Sequence, residues 1–324
     1  MWATACPATQ IGPYRINEMI GEGGIGNVYR AIDERDQSPC AVKIVQGRSW
    51  NGTLGPWRMA CRDEALVLSL ARHPCIVRLR DFIEERQFTC LALERLDGVS
   101  LDRVLGHSLG IAVHPFIVVE IGLQMTRALH HLHGLRLHGR PLGVVHNDMK
   151  PGNIIVLSSG RFVLIDPGLA TFMGTFRTVA QGETVGSPLY MSPELAQGKP
   201  WTQGTDGRSD LFSLGGVLVE LATGVHPFIG PPTRAGVVME IAMGSDEARE
   251  RSVIALRDTL PELIPIIIKL IQSDPDARFS SARELDRALM EVRGKLVGTS
   301  SAQIRAHRAF VRSWATATIS QFPS

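Results

Sequence analysis

Between residues 14 and 46, apolar and polar positions alternate in short runs broken by glycine. This predicts strands over 14–20, 27–32 and 40–45. A stretch at 47–58 holds Trp50, Trp57 and an Asn51-Gly52 turn signal, so a loop is expected there. The period then changes. Residues 59–71 place Leu66 and Leu70 on one helical face, and two further strands are predicted over 76–84 and 88–94. Asp97-Gly98 breaks the run. Beyond it, helical periodicity dominates, over 116–133, 206–223, 261–272 and 280–291. A β-rich first part followed by a larger helical part predicts an α+β architecture of two lobes, meeting near 94–98.

The chain has 324 residues, of which 44% are hydrophobic and 20% charged, enough apolar surface to build a core and too little charge for disorder. The formal charge of +2 offers no strong field for recruiting nucleic acid, and none is expected as a partner. No apolar run reaches the 18 or so residues needed to span a bilayer, and no secretory signal is evident at the N-terminus. The five cysteines (Cys6, Cys40, Cys61, Cys75, Cys90) show no C-x-x-C spacing. That usage fits a reducing compartment and predicts a cytoplasmic protein, a secreted effector also being compatible.

The first chemical signal is Gly21-Glu22-Gly23-Gly24-Ile25-Gly26-Asn27-Val28, a glycine-rich turn between two predicted strands. Glycines there let backbone N–H groups approach phosphate oxygens. A dinucleotide fingerprint would need a helix directly afterwards, and here a strand follows. By itself the signal is equally an ordinary glycine-rich hairpin. The second is Ala41-Val42-Lys43 on the next strand, a cation in an apolar setting that needs an acid to hold it. Glu64, early in the following helix, is the natural partner. The third is His146-Asn147-Asp148-Met149-Lys150-Pro151-Gly152-Asn153, with Asp166-Pro167-Gly168 downstream.

Taken together, these segments resemble the eukaryotic-type (Hanks-type) serine/threonine protein kinases, most closely the bacterial members. Gly186 to Glu194, Asp206 to Gly215 and Asp274 to Phe279 extend the resemblance, which covers about 14–291 in order. It implies a bilobal fold: N-lobe 14–96, C-lobe 97–291, an N-terminal extension 1–13 and a basic tail 292–324. It implies an enzyme that uses ATP and Mg²⁺ to phosphorylate Ser and Thr hydroxyls of protein substrates, and that can also autophosphorylate.

Residue roles follow from the same resemblance. Gly21, Glu22, Gly23, Gly24 and Gly26 would cover the nucleotide. Val28, Ala41 and Leu93 would line the adenine site, with Ile165 a further candidate, and Glu94 to Leu96 would form the hinge that meets adenine. Lys43, paired with Glu64, would hold the α- and β-phosphates. Asp148 would take the acceptor proton, Lys150 would stabilise the transferring phosphate, and Asn153 and Asp166 would ligate metal. Glu194 would brace the activation segment through Arg278, and Asp210 would order the catalytic loop, in which His146 is structural.

Two residues depart from the pattern. Asn147 stands where the family carries arginine, which weakens an arginine–phosphate switch, so activity is expected to depend little on loop phosphorylation. Thr175, Thr178 and Thr184 are the candidate modified residues. Pro167 replaces the phenylalanine of D-F-G, which predicts altered regulation with catalysis retained. These departures leave open a pseudokinase that binds nucleotide as a scaffold. A small-molecule kinase of the aminoglycoside or choline type is a third reading, although 186–194 and 206–215 serve no purpose there.

Two surface features complete the reading. His130, His131, His133 and His138 are expected at a solvated helix end and loop rather than at a metal. The tail carries Arg293, Lys295, Arg305, Arg308 and Arg312 without an acid. If helical, it places Ile304, Val311 and Trp314 on one stripe. It is expected to lie on the large lobe, with partner contact as the alternative.

Overall fold

A computed structural model describes residues 9–22, 26–46, 56–85, 88–107, 112–175, 188–197, 206–228, 236, 240–241 and 246–322. The chain divides into two compact units. One comprises Met1–Arg72, Val77–Leu96 and Gly174–Thr178; the other comprises His73–Ile76, Asp97–Met173 and Val179–Ser324.

The first unit is built on an antiparallel six-stranded sheet. Its strands are β1 (Gln10–Ile11), β2 (Tyr14–Glu22), β3 (Asn27–Asp33), β4 (Ser38–Gln46), β5 (Leu79–Glu84) and β6 (Phe88–Glu94), in the order β1-β2-β3-β4-β6-β5. β1 adds a pairing upstream of the predicted start, with Ile11 opposite Tyr14. Strand alternation decides which side chains share a face. Cys40, Val42 and Ile44 join Tyr14, Tyr29, Ala31, Cys90 and Ala92 in one buried apolar cluster. Lys43 therefore belongs to the opposite face, which α1 (Pro56–Leu70) covers.

α1 buries Ala60, Cys61, Glu64, Val67 and Leu68, an i, i+1, i+4, i+7, i+8 stripe. Polar bonds fix its rotation. Arg58 Nε donates to Thr89 Oγ1 at 2.8 Å and Arg62 pairs with Glu84 at 2.7 Å. The predicted loop over 47–58 is thus corrected at its end. Residues 56–58 are helical, and Trp57 is an exposed helix residue. The rest of that loop, Trp50 included, lies outside the described residues.

The second unit opens with β7 (Gly98–Ser100) and α2 (Leu101–His107). Its central helix, α3 (Pro115–His133), buries eleven residues. A small hairpin, β8 (Arg136–Leu137) and β9 (Arg140–Pro141), follows, then β10 (Ile154–Leu157) and β11 (Phe162–Leu164). β10 sits between β11 and β7. Gly98 is required there, because a Cβ would lie 2.2 Å from the carbonyl oxygen of Val156. Among the described residues, further α-helices are α4 (Pro193–Ala196), α5 (Arg208–Thr223), α6 (Asp246–Thr259), α7 (Ile264–Leu270), α8 (Ala282–Val297) and α9 (Ser301–Ile319). α5 stops at Gly224, whose φ of 74° is the left-handed conformation that glycine adopts freely.

The tail lies on the second unit. α9 opens with a capping box between Ser300 and Gln303 and buries His307, Val311, Ala315 and Thr318. Trp314 meets Phe162, Phe310 meets Phe116, and His307 Nε2 is 3.3 Å from Glu120 Oε2. The buried face is thus rotated from the expected stripe of Ile304, Val311 and Trp314. Small and polar residues fit against Gly160, whose missing side chain leaves room for Val311 and Arg312. Arg305, Arg308 and Arg312 remain exposed.

Candidate active site

In the first unit, Lys43 stands opposite Val28 on β3 and Leu91 on β6. Its Nζ lies 2.8 Å from Glu64 Oε2, and both side chains are buried. Strand pairing on one side and the Arg58 and Arg62 bonds on the other hold this ion pair in register. Gly21 and Glu22 end β2 opposite Val28 and Asn27. At Gly26 a Cβ would fall 2.5 Å from the Ile44 carbonyl oxygen, so only glycine fits this close approach. Gly23 and Gly24 lie outside the described residues. Ala41 pairs with Leu93, which is nearly buried. Glu94 Oε1 accepts from the Arg78 amide at 2.9 Å, and Leu96 closes this unit.

In the second unit, Asp148, Lys150 and Asn153 converge. Lys150 Nζ donates to Asp148 Oδ2 at 2.6 Å, and Asn153 Nδ2 donates to the same oxygen at 2.9 Å and to the Asp148 carbonyl at 2.8 Å. These bonds use the asparagine nitrogen, which suits its Oδ1 to act as a hard oxygen ligand. Pairing of Ile154 with Leu164, and the Ile165 amide donating to the Asn153 carbonyl at 2.9 Å, bring Asp166 beside Asn153. Asp166 has φ 57°, unusual for a non-glycine residue and typical of constrained functional sites. An amide oxygen and a carboxylate on neighbouring strand ends form a donor set of the kind Mg²⁺ accepts.

Asp210, at the start of α5, holds the loop from beneath. It accepts from the backbone amides of His146 and Asn147, both at 2.9 Å, and lies 2.8 Å from His133 Nε2. Burial pushes its carboxyl pKa up, but the hydrogen bond and charge of His133, with the His146 contacts, hold it below the ordinary value. His146 is buried. Its Nδ1 accepts from the Asp148 amide at 3.3 Å and its Nε2 faces the Ile165 carbonyl, a structural role.

The histidine-rich helix end is corrected here. His133 is part of the Asp210 network and His131 stacks on His73, while His130 and His138 are exposed. Among the described residues, no group of three or more His, Cys, Asp or Glu side chains could hold a metal ion.

Farther from the loop, Arg278 makes a two-pronged contact with Glu194, at 2.8 Å on each prong. Burial raises the Glu194 pKa, but the Arg278 bonds and charge, with Ser209, hold it below the usual range. Two contacts escaped sequence reasoning. Asn147 bonds Thr171, and Thr175 Oγ1 donates to Asp63 Oδ2 at 2.6 Å. Both join residues far apart in the chain through side chains that form no recognisable spacing.

The arrangement can be compared with known proteins. The protein kinase domain family matches residues 14–290. The chain belongs to that family. It is 31% identical over 288 residues to serine/threonine-protein kinase PknB of Mycolicibacterium smegmatis, covering 86% of this chain and 43% of that one. It is 30% identical over 276 residues to PrkC of Bacillus subtilis, covering 85% and 40%. PknD of Mycobacterium tuberculosis is 31% identical over 279 residues, covering 86% and 39%. The chain thus spans about two fifths of the length of these curated relatives. Membership accounts for the α+β fold and for the order of elements in each unit.

Proposed function

We propose that this protein kinase-family chain is a serine/threonine protein kinase, moving the γ-phosphoryl group of ATP to Ser or Thr hydroxyls of protein substrates. The observation that carries this reading is the Asp148–Lys150–Asn153 cluster. A carboxylate is held by an ammonium and an amide, on a loop whose backbone is fixed by buried Asp210. In the reaction, the acceptor oxygen attacks the γ-phosphorus as the bond to ADP breaks, and the hydroxyl proton passes to Asp148. Lys150 offsets charge gathering on the transferring oxygens. Such transfer depends mainly on positioning and charge neutralisation. Asp166 and Asn153 Oδ1 would hold Mg²⁺, which supplies positive charge for the triphosphate.

Lys43 would hold the α- and β-phosphates, with Glu64 keeping its ammonium oriented, and Gly21, Glu22, Gly23, Gly24 and Gly26 would cover them. Val28, Ala41, Leu93, Glu94 and Leu96 would receive adenine. Autophosphorylation would fall on Thr175, Thr178 or Thr184, of which the last two lie outside the described residues. Partner contact through the tail would use its exposed arginine face. Cys40, Cys61, Cys75 and Cys90 are buried free thiols, which supports a reducing, cytoplasmic setting. Among the described residues, no helix is long and apolar enough to cross a membrane.

Lys43→Ala tests the nucleotide half of this reading. Removing one charged donor aimed at reacting oxygens is expected to lower kcat about 10²–10³-fold. Steady-state phosphate transfer reads it, and turnover equal to wild type would refute the role of Lys43.

A further inference from the structure

Asn147 does more than vacate a cationic position. Its φ of 64° is left-handed, a conformation asparagine tolerates better than most side chains. Its backbone amide is fixed on Asp210. From that platform its carboxamide nitrogen donates twice, to the Leu169 carbonyl at 3.1 Å and to Thr171 Oγ1 at 2.9 Å. Both acceptors lie just beyond Asp166-Pro167-Gly168. The same stretch is bridged to the segment leading into the catalytic loop. Val145 and Thr171 exchange amide–carbonyl bonds at 2.9 and 3.0 Å, and the Met173 amide donates to the Leu142 carbonyl at 2.9 Å. Between Asp166 and these anchors runs a turn closed by the Ala170 amide on the Pro167 carbonyl at 2.9 Å, with the Gly168 amide donating to Asp166 Oδ1 at 3.2 Å and the φ of Pro167 fixed by its ring. The asparagine's own Oδ1 is buried and accepts no bond among the described residues. The amide orientation is nevertheless set, because a flipped group would turn an oxygen toward the Leu169 carbonyl.

We infer that Asn147 and Thr171 form a neutral positioning pair that holds the Asp166 segment in its metal-binding geometry without a phosphate. The inference rests on the kinase reading for the metal role of Asp166. It goes beyond that reading in assigning the ordering of the segment to a carboxamide–hydroxyl contact built into the unmodified chain. Thr171 is thereby a positioning residue, acting through Asp166 and touching neither nucleotide nor acceptor. Groups that orient metal ligands control metal affinity strongly when removed.

The test uses the full chain and Mn²⁺ as the probe. Binding of Mn²⁺ with a non-hydrolysable ATP analogue is followed by electron paramagnetic resonance, beside the Mg²⁺ dependence of phosphate transfer. Thr171→Val keeps the shape and removes the hydroxyl. Asn147→Asp keeps the size and the left-handed tolerance but replaces the donor by an oxygen. Each is expected to weaken Mn²⁺ binding about tenfold or more. Affinity for the analogue without metal should stay within about twofold, and Thr171→Ser should restore wild-type Mn²⁺ binding. The Asn147→Asp/Thr171→Val double variant should be no weaker than Asn147→Asp within about twofold, since the two act as one contact.

Wild-type Mn²⁺ affinity in Thr171→Val, losses that multiply in the double variant, or equal loss of metal-free nucleotide affinity would each overturn the pair. If wild type transfers phosphate while Thr171→Val binds Mn²⁺ normally, the pair alone fails. If wild type neither binds Mn²⁺ with the analogue nor transfers phosphate, the kinase reading fails with it.

Discussion

Asp148→Asn is expected to lower kcat for phosphate transfer about 10²–10⁴-fold, the usual contribution of a positioned proton acceptor. The substitution is nearly isosteric. The Asn153 carboxamide would still find an oxygen in place of Asp148 Oδ2, and the backbone bonds of His146 and Asn147 to Asp210 do not involve the changed side chain. What disappears is a group able to take the acceptor proton, together with the negative partner of Lys150 at 2.6 Å. The loss should therefore appear in kcat, with the KM for ATP little changed, because no nucleotide contact is removed. Steady-state kinetics beside circular dichroism separates this from misfolding. A folded variant with undiminished kcat would remove Asp148 from its role.

The largest expected effect on stability comes from Arg278→Leu. The Arg278 side chain is fully buried, Glu194 nearly so, and the pair is bidentate. Arg278 also donates to the carbonyls of Gln272 at 2.7 Å, Ser273 at 3.0 Å and Arg208 at 3.1 Å, and stacks over the Phe212 ring. Removing it strands a buried carboxylate and several carbonyls. Breaking a buried pair this way costs about 3–5 kcal/mol. Ser209 Oγ, which donates to Glu194 at 2.5 Å, cannot replace the lost charge. Glu194→Gln, which removes the charge and keeps the shape, should cost less than Arg278→Leu. Urea unfolding of the three proteins checks both statements, and an Arg278→Leu variant as stable as wild type would contradict them.

How much of this was legible beforehand depended on what each residue had to satisfy. Lys43, Glu64, Asp148, Asn153 and Asp166 could be picked out because their chemistry demands particular residue types at particular separations. The same holds for Arg278 and Glu194, far apart in sequence but fixed by a recurring motif. Strands β2 and β3 were visible from alternation, because one face is more buried than the other, whereas β4 and β6, buried on both faces, showed as continuous apolar runs. The short strands β7, β10 and β11 were not, since three or four residues carry too little periodicity to distinguish from loop. Helix α6 escaped for another reason: it buries only Ala248, Ser252 and Leu256, so its apolar stripe is nearly silent.

The tail shows a subtler failure. The sequence left its helicity open, and the buried face could not be read, because Val311 and Arg312 pack against Gly160 while bulkier Phe310 stays partly exposed. The local pattern places His133 at a solvated helix end. Its contact with Asp210 depends on α3 and α5 lying side by side, which no local pattern states. Asn147 was legible as a departure, but its pairing with Thr171 was not. That contact needs a left-handed backbone and the Val145–Thr171 bridge together.

The most direct measurement is a single-turnover reaction of the full chain with ATP labelled at the γ-phosphate, Mg²⁺ and a generic protein substrate, followed by phosphoamino-acid analysis. The account predicts label in phosphoserine or phosphothreonine, reduced to background in Asp148→Asn. Nucleotide bound in stoichiometric amount with no label leaving ATP, or label appearing only on a small hydroxylated compound, would contradict it.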